Sequence, residues 1–265
     1  MSTDKKPVHV LSFSPSADAE LNRWVLFYYG IPFKEHRHTL PFYFLLNKLA
    51  GGKSLVLCRD GDTKLTSVRD VIHHYDTQAA AEKKLIPGSL SSEMAYSWHR
   101  YNSELGHAVV EWAYTNLLPH KTIIIRPLTL GSPWFERCFV KYGYMIPKRM
   151  IWKSQNLSMP AADKALRLIR DIFQEVDQIL SDGRKYLYGD TLTLADLAFA
   201  VSGAPLVLPA NYGGDQFEQG AIPTFDEFPR ALQEIISAMR QTAAGKHILR
   251  LYAEERYITI PATHS

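Results

Sequence analysis

The sequence predicts a small α/β layer followed by an all-helical bundle, on three observations. Short apolar or β-branched runs alternate with helical periodicity over about the first 75 residues. A stretch mixing Pro, Gly and Ser, Lys83–Glu93, then separates two periodic regions. Beyond it, the long apolar patterns recur at helical spacing.

Taken in order, "VHVLSF" (Val8–Phe13) reads as a buried strand closed by Ser-Pro-Ser. From Asp18, Leu21, Trp24, Val25 and Tyr28 recur at helical spacing, and Gly30 with Pro32 ends the pattern. "FKEHRH" is a second strand, and "FYFLLNKL" a short helix stopped by Gly51 and Gly52. "SLVLC" is a third strand, turned by "RDGD" into a short partner, "TKL". Thr66 or Ser67 then caps a helix running to about Tyr75. In the second half, Glu93–Leu118 is one long, aromatic-rich helix. Ala161–Leu180 shows one clean amphipathic face, "TLTLADLAFAVSGAPLVL" is apolar enough to be buried, and "FPRALQEIISAMRQ" is a further helix.

Composition narrows the class. The chain has 265 residues, is 46% hydrophobic and 22% charged, and carries a formal charge of +3. These are ordinary values for a globular protein, and the charge gives no argument for a nucleic-acid partner. No stretch approaches the ~20 apolar residues of a membrane-spanning helix. The N-terminus lacks an apolar run of signal-peptide length, so a cytoplasmic protein is expected. Of the two cysteines, Cys58 lies in an apolar run and reads as a reduced, buried thiol. One segment departs from the average. Lys121–Lys153 carries seven Lys/Arg against the single acid Glu136, with Trp134, Phe135, Tyr142, Tyr144 and Trp152 interleaved. A solvated basic face, an anion-attracting wall and a membrane-surface patch all remain open there.

Several motifs fail on inspection. "GGKS" at Gly51–Ser54 lacks the first Gly of a phosphate loop, where Asn47 stands, and is flanked by helix and strand in the wrong order. No Gly-x-Ser-x-Gly elbow occurs. His36 with His38, and His73 with His74, lack companion ligands, so no metal is expected. "DGD" at Asp60–Asp62 is a turn.

"SFSPSADAELNRWVLFYYGIPF" remains. Here a strand runs into Ser-Pro-Ser and a helix, so Ser14 or Ser16 sits beside unpaired N–H groups at the positive end of the helix dipole. Such a site stabilises an anion, a bound thiolate included, although a plain N-cap would need the same residue. This stretch resembles the first helix of the glutathione S-transferase superfamily: Ser16 at the helix start, Arg23 seven residues on, and Gly30 with Ile31 at its close. "YLYGDTLTLADLAFA" is similar to that superfamily's C-terminal signature, with Thr193 and Asp196 as a capping box and Leu192 and Leu197 as a staple.

The resemblance implies a thioredoxin-like domain over residues 1–82, a linker at 83–92, and an all-α domain over 93–265 with a basic aromatic insertion around 120–155. It implies glutathione as cosubstrate, with no metal or nucleotide, an apolar small molecule as acceptor, and a homodimer as the common assembly. Ser16, with Ser14 as runner-up, would hydrogen-bond the glutathione sulfur. The peptide would lie along Ser54, Leu55, Val56, Thr66, Ser67 and Val68, and Tyr96, Trp98 and Tyr101 would line the acceptor pocket.

Two of these positions depart from the family pattern. Leu55 stands where the family has a cis-proline, and Val68 stands where a Ser grips the γ-glutamyl carboxylate. Two readings follow. One is a transferase activating the thiol at Ser16. The other is a non-catalytic protein of the same fold, with a degenerate glutathione site, that carries apolar ligands or mediates protein or membrane-surface interaction.

Overall fold

The computed structural model describes residues 6–213 and 222–256. Residues 1–5, 214–221 and 257–265 of the two expected domain ranges lie outside the described residues. Strand β1 (Val8–Phe13) pairs in parallel with β2 (Phe33–His38) and antiparallel with β3 (Val56–Asp60), which pairs with β4 (Thr63–Leu65). The resulting sheet has the order β2-β1-β3-β4. The parallel pair requires a crossover, supplied by α1 (Ala17–Tyr28). Helix α2 (Leu40–Leu49) follows β2 and ends at Gly51, whose φ of +75° only glycine adopts without strain. Helix α3 (Val68–Asp76) closes the layer, and the Ser67 hydroxyl caps it by accepting from the Asp70 N–H at 3.1 Å.

The predicted long helix from Glu93 is continuous but not uniform. It comprises α4 (Ser91–Ser97), a π-helical stretch (Trp98–Leu105) and α5 (Gly106–Leu117). The basic aromatic segment, given no secondary structure from the sequence, folds into α6 (Lys121–Thr129), α7 (Trp134–Tyr142) and α8 (Met145–Ser154). Helices α9 (Met159–Leu180), α10 (Leu194–Val207), α11 (Arg230–Gln241) and α12 (Ala243–Glu254) complete the bundle. The central member is α10, where thirteen of fourteen residues are buried, as its unbroken apolar run requires.

The buried carboxylate of α10 is fully paired. The Asp196 carboxylate, fully buried, accepts from the Thr193 N–H (3.0 Å) and hydroxyl (2.9 Å), from the Leu187 N–H (2.9 Å), and meets His247 Nε2 at 3.1 Å. The Thr-x-x-Asp box thus caps α10 and ties the preceding loop and α12 to its N-terminus.

A second network joins the two halves of the chain. Glu20 on α1 receives Arg23 at 2.5 Å and Arg256 at 3.0 Å, all three fully or almost fully buried. Arg23 also reaches Glu35 on β2 at 3.0 Å, and Glu35 accepts from Arg37 and from the Ser12 hydroxyl. Burial pushes the Glu35 carboxyl upward, but Arg23, Arg37 and Ser12 outweigh it and hold it at about 2.

Two outcomes are expected. Asp196→Ala leaves buried N–H groups without an acceptor and should cost at least about 3 kcal/mol in denaturant unfolding, against under about 0.5 kcal/mol for exposed Asp163→Ala. Because the Glu35 carboxyl is depressed on folding, its contribution is present above its ordinary pKa and lost as pH falls toward 2. The stability gap between wild type and Glu35→Gln should therefore narrow on acidification from about pH 5 to pH 2, and a constant gap would refute the assignment.

Candidate active site

The turn after β1 sets the site. Pro15 has no N–H to satisfy, and the Ser16 N–H bonds the Phe13 carbonyl at 3.2 Å. Ser16 takes the extended conformation of an N-cap, and its Oγ accepts from the Ala19 N–H at 3.4 Å. The hydroxyl proton is thereby left to donate outward, where Ser16 lines a cleft of about 300 Å³. Phe13, Leu40 and Leu55 form one wall of this cleft. His107, Val110 and Tyr114 of α5, with Met150 and Ile151 of α8, form the other. Ser14 is buried, lies off the cleft wall and offers its carbonyl to Arg23, so the runner-up serine is not placed to meet a cleft ligand.

Sequence reasoning missed the three titratable groups in the cleft, Asp18, His107 and Tyr114. Loss of solvent pushes the Asp18 carboxyl above the usual carboxylate range, with His107 pulling it back. Burial raises the Tyr114 phenol as well, so it stays protonated at neutral pH. The signal for the α5 members was present. Ser103, His107, Val110 and Tyr114 recur at helical spacing on the very helix that supplied the expected aromatics.

Those aromatics lie elsewhere. Tyr101 is a core residue, its ring 5.2 Å from Phe199. Tyr96 is 61% exposed, and Trp98 lines a different groove with Ile72 and His73 of α3. The π-helical stretch explains the shift. A turn longer than 3.6 residues rotates everything downstream, so the face bearing Tyr96 does not continue into the cleft-facing face of α5.

Of the expected peptide-binding residues, Leu55 alone shares the cleft with Ser16. No cis peptide occurs among the described residues, so the bond before Leu55 is trans. The Ser54 carbonyl accepts from Tyr43 Oη at 2.8 Å and Asn47 Nδ2 at 3.0 Å, while its hydroxyl donates to the Thr66 carbonyl at 2.9 Å. Val56 and Val68 are core residues. Thr66 turns both its N–H (3.0 Å) and its hydroxyl (3.1 Å) to the Asp70 carboxylate, beside the cap already made by Ser67. Desolvation raises Asp70 a little, but these bonds hold it below the usual range. The start of α3 thus carries its own carboxylate. A larger hollow of about 540 Å³, between α2 and His9, His36 and Arg59, does not include Ser16.

Residues 137–202 match the family described as glutathione S-transferase, C-terminal domain. No curated protein matches the sequence. A glutathione S-transferase of Ceriporiopsis subvermispora, solved in complex with glutathione, is similar over 97% of this chain and 100% of its own, at 14% identity and a TM-score of 0.61. A glutathione transferase of Phanerochaete chrysosporium matches over 97% and 100% at 12% identity and a TM-score of 0.60. The β-etherase LigF of Sphingobium sp. strain SYK-6 matches over 92% and 99% at 14% identity and a TM-score of 0.53. The chain has the fold of these glutathione S-transferase structures, a small four-stranded mixed sheet with helices followed by a helical region.

Proposed function

We propose that the chain is a glutathione transferase-like protein in which Ser16 activates a thiol for attack on an apolar electrophile held in the adjoining cleft. The observation carrying this reading is the Ser16 hydroxyl, which accepts from the Ala19 N–H and keeps its proton for a cleft ligand. A sulfur bound there would accept that proton's hydrogen bond and face the N-terminus of α1, and both favour thiolate over thiol. The thiol proton leaves to solvent, and the thiolate pair forms the new carbon–sulfur bond as the acceptor's leaving group departs or its π-bond opens. Phe13, Leu40 and Val110 supply apolar surface for the acceptor. Asp18 opposes the thiolate when ionised, and its raised pKa lessens that opposition.

A second reading rests on Asp70. Its carboxylate already takes the Thr66 donors, so a γ-glutamyl carboxylate arriving there would meet like charge. That favours a site where glutathione binds weakly, or a protein that carries apolar ligands in the same cleft without catalysis.

Calorimetric titration with glutathione, paired with a conjugation assay on an aromatic halide, separates the two. Under the first reading Ser16→Ala should lower kcat/KM at least about a hundredfold with a modest change in affinity. No binding at several millimolar glutathione would leave the carrier reading. Asp70→Asn keeps the capping geometry and removes the charge. It should tighten glutathione binding roughly threefold to tenfold, and unchanged affinity would place the γ-glutamyl end elsewhere.

A further inference from the structure

Thirteen large apolar side chains are exposed among the described residues, and eleven of them sit on α2, α7 and α8. Leu49 is 76% exposed, Trp134 71% and Tyr142 81%. The three helices form one face. Phe42 of α2 packs its ring 5.7 Å from Phe135 and 5.5 Å from Phe139 of α7, while Phe44 of α2 and Met150 of α8 both line the Ser16 cleft.

The charge on this face has one sign. The single acid of α7 and α8, Glu136, is buried and points inward, accepting from the Thr39 N–H at 2.7 Å and meeting His38 Nδ1 at 2.7 Å. Arg137, Lys141, Arg149 and Lys153 are exposed around the apolar residues, with Lys48 on α2.

We propose that α2, α7 and α8 form a docking face for an anionic phospholipid bilayer, on which the chain lies without crossing it. The cations match acidic headgroups, and Trp134 and Tyr142 are the amphipathic rings that settle at headgroup depth. Leu45, Leu49 and Ile146 reach the acyl boundary below them. No described helix is long and apolar enough to span a membrane. A second copy of the chain fits the face less well, because a two-fold contact would set these cations against each other without acids between them. A nucleic acid would satisfy the cations and leave the aliphatic residues uncovered. The surface stands independently of what the cleft holds, although docking would bring the rim at Phe44 and Met150 to the bilayer.

The test is sedimentation of the full chain with vesicles of phosphatidylcholine alone and of phosphatidylcholine containing phosphatidylserine, at low and high salt. Wild type should bind the serine-containing vesicles at least about tenfold more tightly, with the preference fading as salt shortens the Debye length from about 10 Å toward 3 Å. Arg137→Glu with Arg149→Glu should abolish the preference. Leu49→Ser with Trp134→Ser should weaken binding at least about tenfold, and these side chains are exposed enough that circular dichroism should be unchanged. Absent binding at low salt, equal binding to both vesicles, or indifference to the variants overturns the proposal. So does a stable dimer that Trp134→Ser splits, which would assign the face to a second copy.

Discussion

Glu20 meeting both Arg23 and Arg256 is the interaction on which the rest of the arrangement depends. Glu20 and Arg256 are 236 residues apart, one on the first helix of the sheet layer and the other beyond the last helix of the bundle. Three charges taken out of water carry a large desolvation cost, which mutual pairing offsets only in good geometry. Removing one partner leaves the others stranded, so the network fixes the seating of α1 far more strictly than apolar packing would. The Arg256 guanidinium also lies over the rings of Trp24 and Phe27, at 5.6 Å and 5.1 Å, which covers it with apolar surface from the same helix. The Glu20 N–H bonds the Ser16 carbonyl, so seating α1 also places the Ser16 N-cap on the cleft wall.

The cleft and the cradle are therefore in different states. At Ser16 the local structure takes one lone pair of the hydroxyl and leaves its proton available. At Thr66 and Ser54 the Asp70 carboxylate and the Thr66 carbonyl take the hydroxyl donors, Ser67 accepts as the α3 N-cap, and Tyr43 and Asn47 take the Ser54 carbonyl. Satisfied groups contribute to stability and offer little to a ligand, which must first break what it replaces. On the reading proposed above, the thiol end of a bound peptide would meet an open hydroxyl at Ser16, and its γ-glutamyl end would meet the donors of Thr66 already engaged by Asp70.

Much of this was legible in the sequence because it is local. Strand runs, glycine stops, the Ser67 cap and the Thr193–Asp196 box depend on residues within a few positions of each other, and each forms where the pattern puts it. What stayed hidden is either long-range or phase-dependent. The Glu20–Arg256 pair has no periodic signature, since neither position is unusual in its own segment. Tyr96, Trp98 and Tyr101 were assigned to the acceptor pocket because the resemblance implies aromatics of the first long bundle helix there, and the π-helical stretch within that helix changes which face meets the cleft. Helices α7 and α8 were missed because apolar residues lie on their exposed faces, so no apolar stripe marks the buried one.

That last failure is informative. An ordinary surface helix hides one apolar face, and its sequence announces the face by spacing. In α7 the buried positions are Glu136 and Val140, one turn apart, and the acid is held there by His38 and Thr39. Trp134, Phe135, Phe139 and Tyr142 occupy the remaining circumference with Arg137 and Lys141 among them. The inward stripe is given to a hydrogen-bonded acid and a valine, and Phe135 and Phe139 pack on Phe42, yet most of these rings stay exposed. An apolar circumference with its acid turned inside carries a cost in exposed area, which the proposed docking surface would offset. The same helix packs on α2, whose Phe44 edges the Ser16 cleft. The inward anchoring of Glu136 thus leaves the surface of α7 beside the cleft with positive charge alone.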